Sequence, residues 1–281
     1  MKTLKTQIRK LTVVLLSGIV LISVVNCTGG KKSEPTNDTS VDASINKDEV
    51  EQTVREIVYP LPTAFEVTEM INTIEASYII GLSNAIENVD KYFTDKEQAL
   101  NLGVYSADLS YASTYNMQQE VMSYMEASEN LVVELGITGA FSKDFVSDVE
   151  ANIDNKDKLT DLVTNSFYNT YEYLVKGDKE DLSLLVLSGT WIEAMYISCN
   201  ISETVYHNPE LVKVILHQKS SLDKLIELLT PHSEHQTIKG VLNDLNPIKS
   251  VYDEIDETGI TEAQLKQIIE KTAALRLKII S

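Results

Sequence analysis

Two acidic residues stand where carboxylates could do chemistry. Asp108 sits in the middle of NLGVYSADLSYASTYN, residues 101–116, and no Lys or Arg occurs from Glu97 to Ser142 to neutralise it. Glu193 sits in DLSLLVLSGTWIEAMYISCN, residues 181–200, with no Lys or Arg from Glu180 to Val212. A carboxylate taken out of water with no positive neighbour must find donors, bind a cation or keep its proton, so raised proton affinity is expected at both. Three kinds of chemistry follow. The two residues tie helices together through hydrogen bonds, or line a pocket for a small hydroxylated or cationic ligand, or act as the acid and base of a glycan-acting or lyase-like enzyme.

Turning each segment as a helix, at about 100° per residue, shows what would surround them. Asn101, Tyr105, Tyr111, Tyr115 and Gln118 fall on the bulky face centred on Asp108, while Gly103, Ser106, Ser110, Ser113 and Thr114 form a small, polar opposite face suited to close helix approach or to water. Tyr196 and Asn200 flank Glu193 on a helix apolar nearly all round, which reads as an interior helix. The expected donors to the carboxylates are therefore the tyrosine hydroxyls, Asn101, Gln118 and Asn200. With Asp108 and Glu193, these residues are the candidate pocket.

Other constellations are weaker. His232 and His235 in HSEH have a spacing that can share one helix face, but two ligands do not make a metal site, and neither metal nor cofactor is expected. DNKD at 154–157 and DEIDETG at 253–259 lack the alternating oxygen ligands and central glycine of a calcium loop. No phosphate-cradling glycine loop, nucleophile elbow or zinc-protease helix occurs, so no catalytic residue is assigned. Cys199 lies among large apolar residues and reads as a packed thiol.

The elements that must position these residues read as helices throughout. Asn46 with Glu49, Thr63 with Glu66, Thr94 with Glu97 and Thr261 with Gln264 have capping-box spacing. Asn208-Pro209 and Thr230-Pro231 place proline at a first helical position, and YPLPT at 59–63 forces an extended break. The patterns predict helices over 46–58, 63–76, 95–135 with a break near Tyr115-Asn116, 142–153, 156–176, 179–206, 209–229, 231–245 and 261–280. Residues 83–93 fit no pattern, and strand-like alternation does not occur. The expected fold is all-α, a bundle or array of about eight to nine helices. Segments from Asp95 and from Asp178 are similar enough to suggest two related halves.

The first residues address location. MKTLKTQIRK carries four positive charges, an apolar run of 15 residues follows, and VVNC ends at Cys27. The segment resembles a bacterial lipoprotein signal peptide, with Cys27 matching the lipid-bearing cysteine and Val24 standing where the family usually has leucine. That resemblance implies a signal peptide over 1–26, removed on maturation, and attachment to the membrane through acyl chains. An uncleaved span would need roughly 20 apolar residues. Residues 27–44 are polar and read as a flexible tether reaching about 20 to 25 Å, and 45–281 as a single helical domain. Thr28 and Gly29 lack the aspartate that resembles an inner-membrane retention signal, which favours the outer membrane, on its periplasmic face. Segments 102–111 and 189–196 resemble parts of uncharacterised all-helical envelope lipoproteins, which carries no activity with it.

Loss of Lys2, Lys5, Arg9 and Lys10 leaves 20 basic against 42 acidic residues, a formal net charge of −22 against −18 for the whole chain. Such a surface repels phosphate backbones, so nucleic acid is not an expected partner. Only Arg55 and Arg276 remain as arginines, so bidentate recognition of carboxylate is expected to be scarce. With Cys27 acylated, Cys199 has no partner for a disulfide. The sequence thus points to a lipid-anchored, non-catalytic binding or assembly module of the envelope, acting on an unknown envelope protein or small ligand. A small-molecule receptor built on the Tyr/carboxylate pocket is the alternative, and an enzyme using Asp108 and Glu193 a further one.

Overall fold

The computed structural model describes residues 64–141, 144–202, 205–257 and 259–281. Cys27, the 27–44 tether and the 46–58 helix lie outside them. All described residues belong to one compact unit, Ile45–Ser281. They form nine α-helices and no strand: α1 (Ala64–Thr73), α2 (Asp95–Thr114), α3 (Gln118–Glu134), α4 (Phe145–Ala151), α5 (Lys156–Lys176), α6 (Glu180–Asn200), α7 (Pro209–Leu229), α8 (Gln236–Asp253) and α9 (Glu262–Ile280). The fold is all-α.

Local signals set most of the ends. Thr94–Glu97 and Thr261–Gln264 form complete capping boxes, and Asn208 accepts from the amides of Glu210 and Leu211 ahead of Pro209. The expected break after Tyr115 occurs because Asn116 turns left-handed, with φ 55°, and the Met117 amide donates back to Ala112 O at 2.9 Å. Three ends differ widely from expectation. Thr230–His232 makes only a 3₁₀ turn, so α8 starts at Gln236, and it runs through Pro247 to Asp253 because Leu245, Ile248, Val251 and Tyr252 bury one apolar face. The helix expected to reach residue 206 stops at Asn200, and residues 83–93 hold a 3₁₀ turn, Ile86–Lys91.

The two mutually similar segments become the central pair. Helices α2 and α6 are buried almost all round and pack on each other, with α1, α5 and α9 against both, α3 against α2, and α7 and α8 against α6. Helix α6 is long and apolar enough to cross a membrane, but it is the core helix of this fold.

Glycine lets the two backbones touch. A Cβ on Gly103 would lie 2.1 Å from Val186 O, and one on Gly189 1.9 Å from Leu100 O, so neither position admits a side chain unless the helices part. Thr190 Oγ1 donates across the seam to Gly103 O at 3.2 Å and within its own helix to Val186 O at 2.9 Å. The hydroxyls on the small face of α2 bond back to its own carbonyls, as with Ser106 to Leu102 O and Ser113 to Leu109 O, both at 2.7 Å.

Candidate functional site

Asp108 and Glu193 come from the two central helices and neither has any exposed surface. They lie close enough for each to raise or lower the other's proton affinity. The third member arrives from α9: Arg276 Nε donates to Glu193 Oε2 at 2.9 Å and Arg276 Nη2 to Glu193 Oε1 at 2.8 Å, a bidentate pair. The Tyr196 ring covers the guanidinium, with Cζ 4.2 Å from its centroid. This corrects two expectations. Glu193 has a positive partner, and bidentate carboxylate recognition is present, because α9 brings in an arginine 83 residues away in sequence.

The expected donors do other work. Tyr115 donates to Ala76 O at 2.7 Å, Tyr111 accepts from the Ile79 amide at 2.9 Å, and Tyr105 donates to Ala85 O at 2.9 Å. Asp108 Oδ2 accepts from the Asn84 amide at 3.1 Å. Positions 105, 108, 111 and 115 form one stripe of α2, and their partners lie in the irregular segment 76–85, which runs antiparallel to the helix as a strap. Arg276 Nη2 adds a bond to Leu82 O at 3.3 Å, and Asn84 Nδ2 donates to Tyr92 Oη at 3.0 Å. An irregular segment offers its backbone groups few partners of its own, so this stripe supplies them.

The remaining candidates do not reach the carboxylates. Asn101 Nδ2 donates to Glu97 O and to Ile279 O, tying the end of α9 to α2. Asn200 donates to Tyr196 O within α6, and Gln118 pairs with Asp154. Asn84, Tyr92 and Arg276 were missed from sequence. Arg276 alone had a signal, as a cation set in the apolar run AALRLKII.

Charge in the cluster balances with one proton. Burial pushes both carboxyls above the ordinary range. At Asp108 the Glu193 charge pushes further, whereas at Glu193 the direct contact with Arg276 opposes the rise. Burial alone would lower the Arg276 value, and the Glu193 bonds outweigh it. The proton therefore belongs on Asp108. Asp108 Oδ1 accepts from no donor among the described residues, which leaves it free to carry that proton. Burial also pushes Tyr105, Tyr111 and Tyr124 above the usual phenol value, so they stay neutral.

Elsewhere, His232 Nδ1 lies 3.0 Å from Asp181 Oδ1 while His235 Nδ1 bonds its other oxygen, a surface pairing of two rings on one carboxylate. No group of three or more residues suited to hold a metal ion is assembled among the described residues. Cys199 is buried, which pushes its thiol well up. No family model matches the chain, and neither a curated protein nor a solved structure matches it.

Proposed function

We propose that this chain is a lipid-anchored, non-catalytic helical module of a bacterial envelope, held at the periplasmic face of the outer membrane through Cys27, which binds or assembles with other envelope components. The observation that carries the non-catalytic half is the closed cluster of Asp108, Glu193 and Arg276. It has no exposed carboxylate, Arg276 pairs with Glu193, and Asp108 Oδ2 and Arg276 Nη2 bond to the strap. The anchored half rests on the leader and Cys27, and the acidic net charge of −18 supports attachment by acyl chains rather than by a basic patch.

Intact-mass measurement of the chain recovered from membranes, alongside a Cys27→Ser variant, tests the anchor. Two or three acyl chains on Cys27 of a chain that has lost residues 1–26 are expected, with the variant recovered unacylated and still carrying its leader. An unmodified Cys27, or acyl chains on the variant, overturns it. The non-catalytic half fails if purified chain turns over an envelope glycan or ester and Glu193→Gln abolishes that turnover while the fold persists.

A further inference from the structure

A cleft of about 120 Å³ opens between α2, α6, α8 and α9, and neither Asp108 nor Glu193 lines it. Its floor is Leu100, Ile192, Val241, Leu275 and Ile279, and its rim carries Lys96, Glu97, Asp244 and Lys278. By contrast, the hollow lined by Phe65, Phe141, Phe145 and Phe167 measures about 30 Å³, too little for more than a water.

The rim charges are unequally occupied. Glu97 Oε2 is turned back to accept from the amides of Thr94 and Phe93 at 3.0 and 3.1 Å. Both Asp244 oxygens are taken by Lys278 Nζ, at 2.8 and 2.7 Å. Lys96 is left over. It is half-buried and makes no ion pair among the described residues, and its ammonium lies against α8, 3.8 Å from where a Cβ on Gly240 would be. It also sits in the first turn of α2, where the helix dipole disfavours a cation. In a chain with 42 acidic residues, a half-buried lysine that makes no ion pair among the described residues, beside an apolar hollow, is an incomplete arrangement. An anion with an apolar body would complete it.

We propose that this cleft binds a compact apolar monocarboxylate, its carboxylate on Lys96 Nζ and its hydrocarbon body on Leu100, Ile192, Val241 and Leu275. An apolar cavity of about 150 Å³ takes benzene, so a body of about four or five carbons fits. This site goes beyond the anchored-module reading and stands or falls independently of it.

Calorimetry on the full chain in detergent micelles, each titration corrected by the same ligand titrated into micelles alone, tests the proposal with pentanoate as the probe. Pentanoate is expected to bind one site with a Kd of about 1 mM, within reach of a ligand of that size. Pentanol, which has the body without the charge, and acetate, which has the charge without the body, are each expected to bind at least about tenfold more weakly. Lys96→Met, which keeps the stem, should weaken pentanoate about tenfold, and Lys96→Arg should restore most of it. An unchanged melting temperature checks that the fold is intact in both variants. Equal binding of pentanoate and pentanol, binding unaffected by Lys96→Met, or no saturable heat at all would each overturn the proposal.

Discussion

Arg276 meets both oxygens of Glu193, at 2.8 and 2.9 Å, from a helix 83 residues further along the chain, and its Nη2 continues to Leu82 O in the strap. One side chain therefore links the C-terminal helix, the core helix and the segment that covers them.

Breaking that pair should cost more than deleting it. Glu193→Gln leaves a guanidinium nearly buried without its counter-charge, and a loss of about 3 to 5 kcal/mol in urea unfolding is expected. The double variant Glu193→Leu with Arg276→Met should recover much of it, since matched apolar groups of similar volume avoid both desolvation penalties. Additive losses in the double variant would show that the pair is not coupled.

The proton on Asp108 makes stability depend on pH. Its folded carboxyl is raised, first by burial and then by Glu193, above the ordinary value of 3.8 that the unfolded chain keeps. Below about pH 3.8 both states hold the proton and nothing is lost. Above it the unfolded chain releases its proton and the folded chain does not. This contribution therefore falls by about 1.4 kcal/mol per pH unit until the folded carboxyl ionises. Asp108→Asn removes the titration and keeps an acceptor for the Asn84 amide. Its stability relative to the parent chain should rise steadily in urea series from pH 4 upward, and parallel curves would place the proton elsewhere.

Contact between the central helices should be intolerant of a single methyl group. Gly189→Ala and Gly103→Ala each drive a Cβ into a facing carbonyl oxygen. A loss of about 3 kcal/mol each is expected, at the upper end for overpacking, or a fall of about 6 to 12 °C in Tm for a domain of this size. Gly136→Ala should cost less by the same measurement. Nothing lies within 4 Å of the Cβ it would add, so only the φ of +63° opposes it.

The tyrosine stripe should protect the strap locally. Tyr111→Phe deletes the acceptor of the Ile79 amide while leaving the ring stacked on Tyr78 at 4.5 Å. Faster hydrogen exchange confined to residues 76–85 is expected, with a global loss of about 1 to 3 kcal/mol from the unpaired amide. Uniform acceleration across all helices would mean that the strap does not open as a separate unit.

Much of this architecture was legible in local spacing. Thr94 with Glu97, Thr261 with Gln264, Asn208 before Pro209 and the turn at Asn116 involve atoms two to five residues apart, so short stretches suffice to place them. Helical periodicity likewise put Tyr105, Asp108, Tyr111 and Tyr115 on one face. It could not say what that face meets. The expected partners were side chains near in sequence, Gln118 and Asn200 among them, whereas the real ones are backbone groups of a segment without periodicity. The helix expected to end at residue 245 continues instead to Asp253, because burial of Ile248, Val251 and Tyr252 carries α8 through Pro247.

From sequence alone came the helical class, most helix ends, the stripe on α2 and the interior character of α6, since each depends on interactions within a few residues. Tertiary structure alone decided that Arg276 neutralises Glu193, that the strap closes over Asp108, and that Gly103 and Gly189 face backbone carbonyls. Those contacts join residues 24 to 194 positions apart, and a periodic pattern names the face a residue occupies without naming what packs against it.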